Sequence, residues 1–428
     1  MPTRSIVYSH RSDRDIYPYY DDGPCRSASA STTMSRTFAN AVASVTKPAA
    51  LVLLITDEQE SWGQQLSEEG YDVVLVHYPN TTDRLNAGFA EASTKLGTET
   101  EWALLTYGIE STDLTVAGAI LSVGKLKACV HFCPRVENGK GLIYNHADGT
   151  TVPTVFHLSA KQEVLQASLL DIAEQEALGI PTSKPPPVSV FTYPLVSSSP
   201  PFPFEAGPLI DHASGKIRTI APHLRSANNL SYTRTLTLLR SELGPHFPLE
   251  KLWERHTYFE FDKRDALKTM ATMVSTPYVN HVATMTGGVG FQDLARFYKY
   301  HFVRENVTPP DTEMITVSRT IGTDRIIDEM IFKCTHTTEI DYFLPGIKPT
   351  GKPLEIALVG VVAFRGDKLT FEHIYWDQAS VLVQLGLLDP KGLPVAGAEV
   401  AHKVVDPFGM PSNALLARWK ESEGLPID

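Results

Sequence analysis

The first half of the chain repeats one pattern. Short, mostly apolar runs at 51–55, 71–76, 102–106, 128–132, 152–156 and 188–191 alternate with stretches at 61–69, 83–96 and 163–178. In the latter, apolar positions recur every three or four residues. An apolar run without polar breaks fits a strand buried on both faces, and the longer spacing fits a helix with one apolar stripe. Their alternation predicts a parallel sheet flanked by helices. The pattern changes near residue 250. Amphipathic helices are predicted at 253–260, 264–274 and 291–301, with an extended segment at 278–286. Strands at 312–321, 325–337, 352–365 and 368–378 follow, joined by short turns that include Gly322-Thr323 and Gly366-Asp367. This second pattern reads as an antiparallel sheet with helices.

These changes divide the chain into four parts. Residues 1–45 form an arm rich in Ser, Thr, Arg and Asp, expected to be mobile. Residues 46–245 form an α/β domain, 246–392 an α+β domain, and 393–428 a tail with Pro, Gly and one short helix. The Ser-Pro-rich stretch at 197–203 reads as a linker. There is no internal repeat.

Charge and composition narrow the partners. A net charge of −11 over 428 residues argues against nucleic acid or an anionic membrane surface. There is no run of 18 apolar residues, and the first 30 residues lack an apolar signal core. Cys25, Cys129, Cys133 and Cys334 are too few for a disulfide framework and read as reduced thiols. The expectation is a cytoplasmic protein. No His-Glu-x-x-His or Cys-x-x-Cys cluster is present, so neither a metal nor a cofactor is expected.

Five separated signals stand in one order: Thr335-His336, Pro349-Thr350-Gly351, Gly366-Asp367-Lys368, Asp377, and Gln384-Leu385-Gly386. Over roughly residues 250–390 this order resembles the SnoaL-like polyketide-cyclase branch of the NTF2-like superfamily. The resemblance implies a cone of curved antiparallel sheet and helices around one apolar pocket, and a homodimer. It implies cofactor-independent acid–base chemistry of the cyclase, isomerase or dehydratase type. The substrate would be a hydrophobic, carbonyl-bearing small molecule, as in polyketide-type metabolism. Asp377 matches the family's general acid/base, and burial in such a cone would raise its pKa. Its other reading is a cap on the turn that follows. His281 and His336 are further catalytic candidates, each with a structural alternative. Tyr258, Tyr278, Glu329, Phe332, His373, Tyr375 and Trp376 are candidates for the pocket wall. Strict alternation separates Phe371, His373, Tyr375 and Asp377 from Glu372, Ile374 and Trp376, but a bulge would change which set faces the pocket. The family's histidine on the strand before the final hairpin has no counterpart in 358–364. The glycines at 287, 288 and 290 read as a turn into a helix, because no Lys-Ser/Thr follows them.

Residues 45–245 resemble the dienelactone hydrolase family of α/β-hydrolases. That family places a cysteine or serine on a sharp turn after a central strand. Gly108 stands at that place here, with Ser111 three residues on. Glu163 is the only carboxylate near the family's acid position, and no histidine follows the last strand until His212. A nucleophile without a base is not activated, so this domain is expected to lack hydrolase chemistry. His77, His131 and His157 read as structural. Two alternatives remain open. One is an ester or lactone hydrolase with an atypical nucleophile. The other is a non-catalytic binding or scaffold protein.

Overall fold

The apolar runs of the first half become the strands of a seven-stranded sheet. These are β1 (Ser35–Phe38), β2 (Ala50–Ile55), β3 (Asp72–His77), β4 (Glu101–Tyr107), β5 (Lys125–Phe132), β6 (Thr154–Ser159) and β7 (Val188–Tyr193). Their order is β1-β3-β2-β4-β5-β6-β7. The computed structural model describes residues 35–56, 59–110, 125–178, 180, 185–198, 210–211, 216–217 and 220–427. β2 through β7 are parallel, and β1 lies antiparallel on the edge strand β3. The reading of 1–45 as one mobile arm is therefore corrected at Ser35–Phe38, which pair with Val73–Val76; residues 1–34 lie outside the described residues.

Both faces of this sheet are covered, as unbroken apolar strands require. Val52 and Leu54 pack with Leu85 and Phe89 of the helix Thr82–Leu96 and with Leu165 and Leu169 of the helix Glu163–Ala177. Leu51 and Leu53 pack on the other face with Trp62 and Leu66 of the helix Ser61–Ser67. The helix Pro222–Leu243 supplies Ala227, Leu236 and Leu239 to the same cluster. A two-stranded hairpin, β8 (Ile210–Asp211) and β9 (Lys216–Ile217), precedes that last helix.

The second sheet has six strands: β10 (Met273–His281), β11 (Thr286–Val289), β12 (Glu313–Ile321), β13 (Arg325–Thr335), β14 (Pro353–Arg365) and β15 (Lys368–Trp376). Their order is β11-β10-β15-β14-β13-β12. The expected antiparallel sheet holds except between β10 and β15, which run parallel. The predicted helix 264–274 shrinks to Ala266–Ala271, because the Asp265 side chain caps it and β10 begins at Met273. The glycine-rich segment is an edge strand rather than a turn. Gly287 has φ 128°, and a Cβ there would collide with the Val279 carbonyl of the paired strand.

The helices Leu249–Thr257 and Phe291–Phe297 cross the inner face of this sheet. Each continues into a π-helical turn, Tyr258–Asp262 and Tyr298–Phe302. Ile326, Met330, Phe332, Leu358, Val362 and Leu369 form the core beneath them. The tail is docked, since Ser380 donates to the Gly397 carbonyl at 2.7 Å and His402 meets Glu355 at 3.2 Å.

One buried carboxylate ties the two sheets together. Glu69, just before β3, accepts from the backbone N–H of Gly366 at 2.9 Å and from the Tyr232 hydroxyl at 2.5 Å. It also pairs with the Arg240 guanidinium. Gly366 is the turn between β14 and β15, and Tyr232 and Arg240 belong to the helix Pro222–Leu243. Beside it Arg365 pairs with Glu68 at 2.9 Å. Among the described residues, no helix is long and apolar enough to cross a membrane.

Candidate functional site

A register shift in the β14–β15 ladder, between Ala363 and Phe364, sets which side chains of β15 face the helices. Glu372 and Ile374 turn inward and are buried, and Trp376 packs against the same core. Glu372 meets three groups from the two helices. His256 lies in the last turn of Leu249–Thr257, Glu260 in the π-helical turn after it, and Tyr298 at the start of the second π-helical turn. A π turn is wider than an α turn and is often found at functional sites. Here both turns carry a polar side chain inward.

The His256 Nε2 atom lies 3.0 Å from Glu260 Oε1 and 3.0 Å from Glu372 Oε1. The Tyr298 hydroxyl donates to Glu372 Oε1 at 3.3 Å and lies 3.4 Å from His256 Nε2. His256 Nδ1 is 2.5 Å from the Thr272 hydroxyl. All four principal side chains are buried. Trp253 stacks on the imidazole at 5.6 Å, tilted by 17°. Its Nε1 donates to Asp328 Oδ2 at 2.9 Å, and Arg319 grips the Asp328 carboxylate at 2.7 and 2.8 Å. The imidazole is thus held at both nitrogens and on one face.

The electrostatics follow from this packing. Burial alone would lower the pKa of His256, but the Glu260 and Glu372 carboxylates override it and hold the ring at about 10. His256 is an imidazolium at neutral pH. Glu372 is raised, first by burial and then by Glu260, against the opposing pull of His256. Burial and the same two carboxylates raise Tyr298. One imidazolium between two carboxylates leaves one excess negative charge in a dry interior. A proton on Glu372 removes it. The donor atoms of His256, Glu260 and Glu372 lie within 4.8 Å of one another, a set able to hold a metal ion. No sequence motif announced this set, because its third member, Glu372, comes from a distant strand.

His281 lies on the same inner face. In the parallel register Val279 pairs with Glu372 and His281 with Ile374. Its ring is boxed by Phe297, Phe302, Tyr342 and Trp376, at centroid distances from 5.6 to 6.0 Å. Burial pushes its pKa down to about 4, although Glu372 and the Thr286 backbone pull it upward. The ring is neutral at pH 7, and its buried Nδ1 has no hydrogen-bond partner.

The other sequence candidates fall elsewhere. β15 ends at Trp376, so Asp377 has already left the inner face. It is exposed and caps the helix Gln378–Leu385, accepting from the Ala379 N–H at 2.9 Å. The expected buried acid at 377 is corrected to a cap, and the buried carboxylates that meet His256 are Glu260 and Glu372. His336 pins the turn at 349–351, with Nδ1 3.1 Å from the Thr350 hydroxyl. It follows Thr335, which pairs with Pro353, whereas Glu372 pairs with Val362. That is nine residues along β14, about 30 Å of extended strand, so His336 is not brought to the cluster.

Among the pocket candidates, Phe332 and Trp376 are inside, each edge-on to Phe343 at 4.8 and 4.7 Å. Tyr278, His373 and Tyr375 do come together, but on the outer face. His373 lies 3.1 Å from the Tyr278 hydroxyl and 3.3 Å from that of Tyr375, with Phe371 stacked on Tyr278. Glu329 accepts from Ser318 at 3.1 Å at the surface, and Tyr258 is exposed beside Lys263. The alternation of β13 and β15 places Glu329, His373 and Tyr375 opposite the inner face. His256, Glu260 and Tyr298 were missed. The signal was present as His256 and Glu260 four apart on one predicted helix.

In the first sheet, Gly108 ends β4 with φ 65°. His131 lies 2.8 Å from the Thr106 hydroxyl and 3.2 Å from the Leu142 carbonyl. His157 lies 3.1 Å from both the Tyr193 and Thr235 hydroxyls. Ser111 and His212 lie outside the described residues.

No family model matches this chain, and no curated protein matches it. The similar solved structures are SnoaL-like and NTF2-like proteins, matched over about a third of the chain. A candidate SnoaL-like polyketide cyclase from Jannaschia is 14% identical, covers 34% of this chain and 99% of its own, and has a TM-score of 0.27. AclR, a hydroxylase candidate from Streptomyces galilaeus, is 17% identical over 33% of this chain and 96% of its own, with a TM-score of 0.27. A protein with a ketosteroid isomerase-like fold from Catenulispora acidiphila is 13% identical over 34% and 96%, with a TM-score of 0.26.

Proposed function

We propose that the chain is a cofactor-independent proton-transfer enzyme of the isomerase, cyclase or dehydratase type. It acts on a hydrophobic molecule that carries a carbonyl, and its chemistry lies in a domain spanning 246–392. One observation carries the reading: a neutral, buried imidazole with an unpartnered Nδ1 lies on the same face as a buried carboxyl of raised pKa. His281 Nδ1 is the base that removes a proton next to the carbonyl. The protonated Glu372 carboxyl, backed by Tyr298, donates a hydrogen bond to the carbonyl oxygen as negative charge develops there. The return of the proton to a different carbon gives the isomer. His256 and Glu260 hold the charge of the set near neutrality through the cycle.

The domain at 46–245 is read as hydrolase-like without its triad. Gly108 has no side chain to attack with, and its left-handed φ suits the sharp turn such folds use.

The test is deuterium wash-in. Enolisable cyclic ketones incubated with the protein in D2O should gain deuterium at the α-carbon, read by NMR, while p-nitrophenyl esters are hydrolysed only at background. Ester turnover without α-exchange would replace this reading with the hydrolase alternative.

A further inference from the structure

The first sheet carries a feature that the proton-transfer reading does not use. A cavity of about 550 Å³ opens at the carboxyl ends of β5 and β6. Its wall includes Cys133, Arg135 and Val136 after β5, and Lys161, Val164 and Leu165 after β6. The carboxyl edge of a parallel sheet is where such folds hold ligands, and this volume suits a small organic molecule.

Three adjacent strands end in left-handed turns at this edge. Gly108 after β4 has φ 65°, Cys133 after β5 has φ 45°, and Lys161 after β6 has φ 64°. For cysteine and lysine this conformation is strained, and it persists only where the surroundings enforce it. They do so here. The Cys133 N–H donates to the His157 carbonyl at 2.8 Å, and Arg135 N–H to Ile109 at 2.8 Å. The Gln162 side chain bridges the Pro134 carbonyl and the Ser159 N–H, both at 2.9 Å. The strained pair is a rigid rim around one cavity.

The wall is amphipathic in a directed way. Arg135 and Lys161 are its cations and Glu137 its one carboxylate. Among the described residues Lys161 has no ion pair, and Arg135 meets Glu110 only at 3.5 Å. A side chain at position 108 would point at the Arg135 guanidinium, whose Nε lies 3.8 Å from the place of its Cβ. A cation therefore stands over the turn that carries Gly108. Val164 in the same wall is 81% exposed and offers apolar surface to a ligand.

We infer that this cavity binds a small organic anion, a carboxylate with an apolar body, and holds it without cleaving it. The carboxylate lies between Arg135 and Lys161, and the apolar body covers Val136, Val164 and Leu165. This site is independent of the proton-transfer reading, and either can fail alone.

The experiment uses the full chain with 4-phenylbutyrate, its neutral amide and 4-phenylbutylamine as probes. Binding is followed by calorimetry and by the methyl signals of Val164 and Leu165. Saturable binding of the carboxylate is expected, with shifts confined to those methyls. Amide and amine should bind at least about 10-fold more weakly, as should the carboxylate to Arg135→Gln/Lys161→Gln, the scale of one charge-assisted hydrogen bond. A melting temperature like that of the parent confirms that the variant is folded, and Lys161→Gln alone, with a loss of about 3-fold or more, serves if it is not. Three results would each overturn the inference: no saturation by about 10 mM, equal affinity for acid and amide, or unchanged binding in the folded variant.

Discussion

Replacing Glu69 by Leu should cost more stability than any other single change at the surface between the two sheets. The Glu69 side chain is fully buried and that of Arg240 is 6% exposed. Without the carboxylate, Arg240 becomes an uncompensated charge in a dry site, a loss of about 3–5 kcal/mol. The Tyr232 hydroxyl and the Gly366 N–H lose their acceptor at the same time, at about 1–3 kcal/mol each if nothing replaces it. These losses overlap, so a total of about 5 kcal/mol is expected. That is a third or more of the stability of an ordinary protein. Urea unfolding followed by tryptophan fluorescence measures it. Arg240→Met in the Glu69→Leu background should restore at least about 2 kcal/mol, because the unpaired charge is gone. If Glu69→Leu unfolds within about 1 kcal/mol of the parent, or if the two changes simply add, the carboxylate does not join the sheets.

Three further outcomes follow from the same structure. Stability should fall on acidification, because burial holds His131 near 4, His157 near 3 and His281 near 4, against 6.5 in the unfolded chain. The unfolded state takes up those protons first, so each histidine removes about 1.4 kcal/mol per pH unit from 6.5 down to its folded pKa, and the raised Glu372 offsets only one of the three. His256 works in the opposite direction: its contribution is complete below 6.5 and is lost as pH rises through about 10. A melting temperature flat from pH 7 to 4.5 contradicts this. Gly366→Ala should destabilise by about 2 kcal/mol or more, since φ is 56° and the new Cβ would collide with the Glu68 carbonyl; a neutral melt in urea would show the turn to be free. The outer face of the second sheet, where Ile315, Ile327, Val359 and Tyr375 are each 38 to 44% exposed, is proposed to pair with a second copy. Light scattering should then give twice the chain mass, and Ile327→Glu should halve it; a parent that scatters as one chain removes the proposal.

Much of this architecture was legible in the chain. Continuous apolar runs announce strands covered on both sides, and Val52 and Leu51 do go into opposite cores. The four alternating strands after 312 were equally plain. The site was harder to read, because it turns on parity. A strand of strict alternation offers two faces, and only the register shift at Ala363 and Phe364 decides that Glu372 goes in and His373 goes out. Asp377 was drawn from a motif, and its burial depended on where β15 stops. His256 and Glu260 sat four apart on a predicted helix but meant little until Glu372 was placed opposite them. The parallel pairing of β10 with β15 brings His281 to the same face, and no local pattern encodes that contact.

The central claim is that proton transfer belongs to His281 and Glu372 inside the second sheet, and not to Asp377 at its rim. Deuterium wash-in by Glu372→Gln and Asp377→Asn, measured side by side on the same ketone, tests it most directly. Glutamine keeps the shape of residue 372 but replaces the acidic O–H with a far weaker amide donor, so exchange should fall by about two orders of magnitude. Asparagine at 377 still caps the helix Gln378–Leu385 and should exchange as the parent does. Exchange that survives in Glu372→Gln and disappears in Asp377→Asn would contradict the account.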